Sequence, residues 1–246
     1  MNLFSRTELL IGKSGIEKLK RARVAVFGIG GVGGYAVEAL VRSGIGRLEL
    51  VDNDKVSPTN VNRQIIALSD TLGRYKTEAA AERARAINPE CEVTCRNCFF
   101  TSETAGTFDF SDYDYVIDAI DTLAGKIAIV KACREAGTPV VSCMGAGNKL
   151  DPTAFEVTDI YKTSVCPLAR AMRKLCRENG IEKLKVVYSK ELPVSAADSE
   201  RAAREEGAYK PRVPGSIAFV PSVAGLIAAG EAIKEISGVY GNGIGS

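Results

Sequence analysis

The stretch VAVFGIGGVGGYAVEALVRSGIGRLELVD, residues 24–52, decides the fold of this chain. The β-branched apolar run Val24 to Phe27 is too short for a helix and meets a cluster of glycines, after which apolar residues recur at helical spacing. A second apolar run, Leu48 to Val51, ends in Asp52. The stretch therefore predicts a strand, a tight turn, a helix and a second strand that ends in a carboxylate.

Three glycines of this turn occupy the positions of the nucleotide-binding fingerprint G-x-G-x-x-G. Gly28 permits a sharp turn, Gly30 lets a phosphate approach the backbone, and Gly33 lets the helix pack closely on the strand. The N–H groups and the dipole at the start of the helix favour an anion. Asp52 follows at about the spacing at which a carboxylate binds a ribose hydroxyl. The stretch predicts a nucleotide site, and NAD, FAD, S-adenosylmethionine and ATP all remain open at this point.

Size and composition indicate an ordinary globular protein, because 246 residues with 46% hydrophobic and 25% charged content can bury one sizeable core. We expect a single domain over 1–246, with a nucleotide-binding half at 1–148, a substrate-facing half at 149–246 and a mobile loop at 191–214. The N-terminus lacks the apolar core of a signal peptide, and no apolar run reaches membrane-spanning length. We therefore expect no transmembrane segment and a cytoplasmic protein.

The cysteine and histidine content excludes several kinds of site. The chain has seven cysteines but only one C-x-x-C pair, Cys95 and Cys98, so we expect reduced thiols and no structural zinc. Histidine is absent. That absence excludes a Ser-His-Asp triad, a histidine-ligated metal and a histidine base, and it weighs against many dehydrogenases.

Repeated strand and helix patterns predict the overall fold. A strand from Val116 to Ile120, a helix from Leu123 to Ala136 and a strand from Pro139 to Met144 repeat the first unit. We predict an α/β fold, a Rossmann-like doubly wound and mainly parallel sheet with a C-terminal extension, which binds ligands at the carboxyl ends of its strands. Asp118 and Asp121 lie at such an end. Asp121 is suited to hold Mg²⁺ against a phosphate, or alternatively to cap the following helix.

Two cations follow the second strand and could reach the same site. Arg63 comes one loop after Asp52, and Lys76 opens a helical pattern that begins near Gly73. A dinucleotide cofactor needs neither cation there, whereas a triphosphate that is cleaved between its α and β phosphates needs positive charge on the departing pyrophosphate. The alternative is that both are solvated surface cations.

The C-terminal half predicts a strand in TAFEVTDI, a helix in CPLARAMRKLCRENG, a strand in KLKVVYS, and finally a strand and an apolar helix in GSIAFVPSVAGLIAAGEAIKEISG. The first of these helices and the strand after it are strongly basic. We interpret this basic face as the best place on the chain for an RNA backbone, although a solvated surface is the alternative. Its cations are Arg170, Arg173, Lys174, Arg177, Lys183, Lys185 and Lys190.

Over nearly its whole length the chain resembles the ThiF/MoeB superfamily of ubiquitin-activating-type adenylating enzymes. The resemblance is carried by FGIGGVGG, LVDNDKVSPTNVNRQ with GRYK after it, VIDAID and GSIAFVPSVAGLIAAGEAIK. Within the superfamily the chain is most similar to the tRNA threonylcarbamoyladenosine dehydratases, through SGIGRLELVD, TNVNRQIIAL, RARAINPECEV, YDYVIDAID, GAGNKLDPT and DIYKTSVCPLAR.

The resemblance implies that the nucleotide is ATP and assigns a role to each matching residue. Asp52 would hold the ribose, and the ATP site would be lined by Gly28, Gly30, Gly31 and Gly33.

The same resemblance implies how the triphosphate and its metal are held. Asn60, Arg63 and Lys76 would contact the triphosphate, and Asp121 would bind Mg²⁺. Superfamily members are symmetric dimers in which an arginine near the N-terminus reaches the partner's ATP site, and Arg6 matches that position. A homodimer is therefore expected.

The implied reaction activates the threonyl carboxylate of threonylcarbamoyladenosine in tRNA by attack on the α-phosphate of ATP. Pyrophosphate leaves, and loss of AMP then closes a ring within the same group, so that the modified base loses water. Some subfamily members also work with the sulfur-acceptor protein of a cysteine desulfurase. A monovalent cation in a carbonyl cage near the GAG turn, residues 145–147, is an open expectation.

Three alternatives remain at this point. The first is adenylation of the C-terminal glycine of a ubiquitin-like sulfur carrier, which would use the same ATP residues; the missing second C-x-x-C pair and the basic helix count against it. The second is an NAD-dependent oxidoreductase, supported by the glycine fingerprint alone. The third is a regulator that binds a nucleotide without catalysis. No cysteine follows Cys176, so a thioester or persulfide on the enzyme is not expected.

Overall fold

A computed structural model describes residues 3–194 and 213–239 of the chain. Most of the loop predicted at 191–214 and the C-terminal tail lie outside these residues. The described strands form one seven-stranded sheet. They are β1 (Arg23–Phe27), β2 (Arg47–Val51), β3 (Glu92–Arg96), β4 (Tyr115–Asp118), β5 (Val140–Cys143), β6 (Phe155–Asp159) and β7 (Lys185–Ser189).

The sheet has the strand order β3-β2-β1-β4-β5-β7-β6, and every pair is parallel except β6 with β7. The order runs outward from β1 in both directions, which confirms the doubly wound α/β fold and puts the switch point between β1 and β4. The α-helices of the described part are α1 (Ser5–Arg21), α2 (Gly33–Arg42), α3 (Lys76–Ile87), α4 (Leu123–Ala136), α5 (Pro167–Glu178) and α6 (Phe219–Ser237).

The strands bury side chains on both faces because helices cover both. Alternation along β1 sends Val24 and Val26 into a core with α1, α2, α3 and α6, and sends Ala25 and Phe27 to the other face. There Phe27 packs against the rings of Phe100, Phe108 and Phe110 in the β3–β4 connection, with α4 in the same cluster and α5 further along the sheet.

The structure has an N-terminal helix for which no prediction was made, and it lacks one predicted strand. The N-terminal segment forms a helix from Ser5 to Arg21 with one break at Gly12, whose φ is 73°. The strand predicted in GSIAFV is wrong. Outside the sheet, the Asn148 N–H donates a hydrogen bond to the carbonyl oxygen of Gly215, and the Gly215 N–H donates one to the side-chain Oδ1 of Asn148. Helix α6 begins at Phe219 with Pro221 in its first turn, where a missing N–H costs no helical hydrogen bond.

Helix α6 lies against α2 at one point of very close approach. A Cβ on Gly225 would lie 2.1 Å from the carbonyl oxygen of Val32. This contact connects the C-terminal helix to the residues just before α2. Within the described residues, no helix combines the length and the apolar character needed to cross a bilayer.

We expect Gly225→Ala to destabilise the protein by about 1–3 kcal/mol, because the added methyl group forces α6 away from α2. Gly230→Ala on the same helix is the matched control, since a Cβ there meets no atom within 4 Å. This control should gain up to about 1 kcal/mol from helix propensity. Urea unfolding measures both changes, and equal stabilities for the two variants would contradict the close packing at Gly225.

Candidate nucleotide-binding site

In the turn after β1, two positions must be glycine because the packing of the chain leaves no room for a side chain. Gly28 has a φ of 86°, and a Cβ there would lie 2.7 Å from the carbonyl oxygen of Ala119 after β4. A Cβ on Gly33 would lie only 1.7 Å from the carbonyl oxygen of Gly28. Both positions therefore demand glycine for reasons internal to the fold, as the fingerprint predicts.

Gly30 and Gly31 differ from Gly28 and Gly33 because the chain leaves more room around them. The nearest atom to a Cβ on Gly30 would be Nε2 of Gln64, at 3.8 Å, whereas a Cβ on Gly31 would lie 3.2 Å from Pro221 and 3.4 Å from Cγ of Arg63. Close packing within the chain does not explain a glycine at Gly30. A ligand that approaches the backbone does explain it.

Asp52 joins the end of β2 to the glycine turn. Its Oδ2 accepts a hydrogen bond of 2.6 Å from the N–H of Ile29, and its Oδ1 accepts one of 2.8 Å from the N–H of Asp54. Burial raises the pKa of Asp52, while the nearby Lys76 ammonium and these two N–H donors act to lower it. Each carboxylate oxygen can accept a second hydrogen bond, so the arrangement fits a ribose hydroxyl.

Lys76 lies beside Asp52 and is almost fully buried at the start of α3. Its Nζ donates a hydrogen bond of 2.7 Å to Oδ2 of Asp54, whose side chain is exposed. Its backbone N–H also donates to the carbonyl oxygen of Asp54. Two contacts with one residue thus keep the ammonium at the carboxyl end of β2.

Arg63 lies in the loop between β2 and α3. Its Nη1 donates hydrogen bonds of 2.8 Å to the carbonyl oxygen of Thr59 and to Oδ1 of Asn62. Asn62 in turn donates from Nδ2 to the carbonyl oxygen of Ser216, at 2.9 Å. The aliphatic stem of Arg63 lies next to Gly31, and the orientation of the guanidinium is set by the loop and by the segment before α6.

Asn60 has a structural task that its sequence position does not reveal. It is buried, and its Oδ1 accepts a hydrogen bond of 3.1 Å from the N–H of Ser57, which closes a short 3₁₀ turn over Pro58–Asn60. A contact between Asn60 and a triphosphate would use its amide N–H groups. That contact stays a prediction.

The two aspartates after β4 separate into different roles. Asp121 is exposed, one residue beyond the turn that packs on Gly28, and Thr122 takes the N-cap position of α4, so the capping alternative for Asp121 is wrong. Asp118 is completely buried and forms an ion pair with Lys126, which is also fully buried, at 3.0 Å. Asp118 is therefore not available to a ligand.

Gln64 is a residue that the pattern of the sequence did not single out. Its side chain is buried next to Gly30, and its Oε1 has no hydrogen-bond partner within the described chain. A buried amide oxygen without a donor is costly, by roughly 1–3 kcal/mol. The sequence signal that could have identified it is its position directly after Arg63.

Arg6 lies in the first turn of α1 and is exposed. Its expected contact with the ATP site of a second subunit stays a prediction. The neighbouring Leu3, Leu9 and Leu10 are 72%, 81% and 83% exposed.

The predicted basic face is smaller in the structure than in the sequence. Lys185 forms ion pairs with Glu231 and Glu235 of α6, and Lys190 forms one with Glu156 of β6, so the two strand lysines are neutralised by distant carboxylates. The other exposed cations are on α5 and the loop after it, and one of them, Lys174, forms an exposed ion pair with Glu178 at 3.7 Å. They are Arg170, Lys174, Arg177 and Lys183.

The thiols of the described chain are poorly suited to act as nucleophiles. Burial raises the pKa of Cys176 to about 11 and that of Cys143 to about 12. Cys95 and Cys98 are half-buried, and burial raises the pKa of each. Cys166 is buried at the N-cap of α5. These positions agree with packing as the role of Cys176.

Comparison with known proteins finds close relatives over nearly the whole chain. The tRNA threonylcarbamoyladenosine dehydratase of Bacillus subtilis is 46% identical over 243 residues, which cover 96% of this chain and 95% of the relative. Two crystal structures of the Escherichia coli tRNA N6-threonylcarbamoyladenosine dehydratase TcdA are each 37% identical and cover 98% of this chain and 96% of theirs. The complex with AMP has a TM-score of 0.86, and the complex with ATP has one of 0.85.

The family model of ThiF matches residues 4–244, nearly the whole chain. The match includes the glycine turn, both aspartate-bearing strand ends and helix α6. By fold, by site and by sequence, this chain belongs to the ThiF family.

Proposed function

We propose that this protein catalyses the ATP-dependent dehydration of threonylcarbamoyladenosine in tRNA to its cyclic form, by adenylation of the threonyl carboxylate. The observation that carries the proposal is the likeness to TcdA, whose solved complexes hold ATP and AMP, at 37% identity over 98% of this chain. The relative from B. subtilis has the same dehydratase name and nearly the same length. Adenylation of a sulfur-carrier protein is not favoured by these comparisons.

ATP would bind across the carboxyl ends of β1, β2 and β4, in the half of the chain at 1–148. Asp52 would accept a ribose hydroxyl, and the open backbone at Gly30 would approach the phosphates. Lys76, which lies near Asp52, and Arg63, whose Cγ lies near Gly31, would stabilise the charge that accumulates on the departing pyrophosphate. Asn60 would add an amide donor to the triphosphate.

Asp121 fits the requirements of a Mg²⁺ ligand. It is an exposed carboxylate next to the turn that contacts Gly28, and Mg²⁺ is usually held by one or two carboxylates together with phosphate oxygens. The metal would neutralise phosphate charge there. A monovalent cation near residues 145–147 remains part of the proposal without a residue assigned to it.

The chemistry needs no enzyme nucleophile. A carboxylate oxygen of the substrate forms a bond to the α-phosphorus of ATP, and the bond to the pyrophosphate oxygen breaks. A nucleophile within the same modified base then attacks the activated carbonyl carbon, the ring closes, and AMP leaves with the former carboxylate oxygen. The raised pKa of Cys176 agrees with a reaction that uses no thiolate.

The tRNA would be held by the half of the chain at 149–246, and the exposed cations of α5 and the following loop are its proposed contact. A cytoplasmic location is part of this proposal, because tRNA is the proposed substrate. We also propose a homodimer in which Arg6 reaches the partner's ATP site, supported by the exposed leucines beside it on α1. A sulfur-acceptor partner stays a prediction that this reaction does not require.

Mass spectrometry of tRNA nucleosides tests the proposed function directly. Threonylcarbamoyl-modified tRNA incubated with the protein, ATP and Mg²⁺ should lose the mass of one water at the modified base. Lys76→Ala should reduce this conversion at least about 100-fold, since a positioned charge in the transition state is worth about 2.7–4 kcal/mol. Lys55→Ala is the matched control, because Lys55 is an exposed cation of the same loop that lies over the Tyr75 ring.

An unchanged mass of the modified base after incubation with the folded wild-type protein, ATP and Mg²⁺ would refute the dehydratase proposal. Pyrophosphate release that is stimulated by a sulfur-carrier protein and not by modified tRNA would support the alternative substrate. Equal losses in Lys76→Ala and Lys55→Ala would show that Lys76 has no special role.

The double variant Arg170→Glu/Lys174→Glu tests the proposed tRNA surface on α5. Reversing two charges should raise the KM for tRNA about tenfold or more near physiological salt and flatten its salt dependence, because fewer counterions are released on binding. The KM for ATP should stay the same. Arg85→Glu on α3, at the opposite edge of the sheet, is the control, and equal effects of both changes would exclude α5 as the RNA contact.

A further inference from the structure

Beneath the ATP site, the pair of Asp118 and Lys126 joins the carboxyl ends of β4 and β5. Both side chains are fully buried. Lys126 Nζ donates to both carboxylate oxygens of Asp118, at 3.1 and 3.0 Å, and to the carbonyl oxygen of Cys143, at 2.7 Å. Ser142 adds a hydrogen bond of 2.5 Å from its Oγ to Oδ2 of Asp118. One ammonium thus connects two neighbouring strand ends and helix α4.

Such a pair is an expensive way to stabilise a fold. Desolvating two opposite charges costs several kcal/mol each, and replacing a buried ion pair by apolar residues is often neutral or stabilising. An apolar pair would therefore serve packing alone at least as well. What Asp118 and Lys126 supply beyond packing is a fixed geometry, because their hydrogen bonds are directional.

The geometry that they fix is that of the turn after β4. Asp118 Oδ1 also accepts the N–H of Ile120, at 3.3 Å. On its other side the same turn lies against the glycine turn, since a Cβ on Gly28 would lie 2.7 Å from the carbonyl oxygen of Ala119 and 2.9 Å from the nitrogen of Ile120. Residues 119 and 120 are thus held from both sides, and Asp121 is the next residue.

We propose that Lys126 is a positioning residue: through Asp118 and the 119–120 turn it fixes the Asp121 carboxylate relative to the glycine turn, and thereby the affinity for the divalent cation that accompanies ATP. The inference rests on the proposed function of Asp121. Partners that orient a metal ligand typically change metal affinity 10- to 100-fold when they are lost.

Electron paramagnetic resonance of Mn²⁺ in the presence of a non-hydrolysable ATP analogue tests this inference by binding alone. We expect Lys126→Met to weaken Mn²⁺ binding about tenfold or more. Ser142→Ala keeps the ion pair but removes one hydrogen bond to Asp118 and a longer one, of 3.4 Å, from Lys126, so we expect a loss of about two- to threefold. This milder variant decides the question if Lys126→Met does not fold.

Glu49→Gln is the matched control for the loss of a buried charge. Glu49 is a fully buried carboxylate paired with Arg23 at 2.5 Å and with Arg96 at 2.9 Å, in the middle of β2. This variant should lower the unfolding temperature and leave the affinity for Mn²⁺ unchanged. Lys126→Met would give the same result if the role of Lys126 were purely structural.

Wild-type affinity for Mn²⁺ in the folded Lys126→Met and Ser142→Ala variants would overturn the inference, and so would an equal loss in Glu49→Gln. Asp121→Asn separates this failure from that of the proposed function. If Asp121→Asn binds Mn²⁺ as well as the wild type does, the metal role of Asp121 is wrong and the inference falls with it.

Discussion

The close approach of two turns, one after β1 and one after β4, is the constraint on which the rest of the site depends. Gly28 lies so near the carbonyl oxygen of Ala119 that no side chain fits between them. Because β1 and β4 are neighbours at the point where the strand order reverses, the crevice above them is where a doubly wound sheet binds its ligand. The proposed site therefore draws on residues of both turns.

Each charged side chain proposed for this crevice has hydrogen-bond partners that orient it. Asp54 holds Lys76, the carbonyl oxygen of Thr59 and the amide of Asn62 hold Arg63, and two backbone N–H groups hold Asp52. Side chains that are oriented before the ligand arrives lose little freedom when it binds, which favours catalysis by electrostatic stabilisation. The proposed reaction uses this property, since its leaving group is a highly charged pyrophosphate.

The sequence predicts those parts of the fold that local patterns determine. The helix predicted from Leu123 to Ala136 has those same limits in the structure, because Gly137 ends it with a φ of 73°. The glycine fingerprint likewise places Asp52 against the turn. The strand predicted in GSIAFV fails because the segment pairs with Asn148 instead of the sheet, a choice that depends on tertiary structure.

Pairing between different layers of the fold also explains why some contacts are invisible in the sequence. Lys126 lies in a predicted helix and is charged, so nothing local indicates that it is fully buried against Asp118. The neutralisation of Lys185 by Glu231 and Glu235 joins residues about fifty positions apart. In both cases the partner comes from another layer of the fold, which a reading along the chain does not see.

Oxygen isotope transfer tests the central claim most directly, namely that this site activates a substrate carboxylate at the α-phosphate of ATP. Modified tRNA labelled with ¹⁸O in its threonyl carboxylate should yield AMP that contains one ¹⁸O atom for each cyclic product. AMP without the label would contradict the account. Formation of ADP together with labelled inorganic phosphate would contradict it as well.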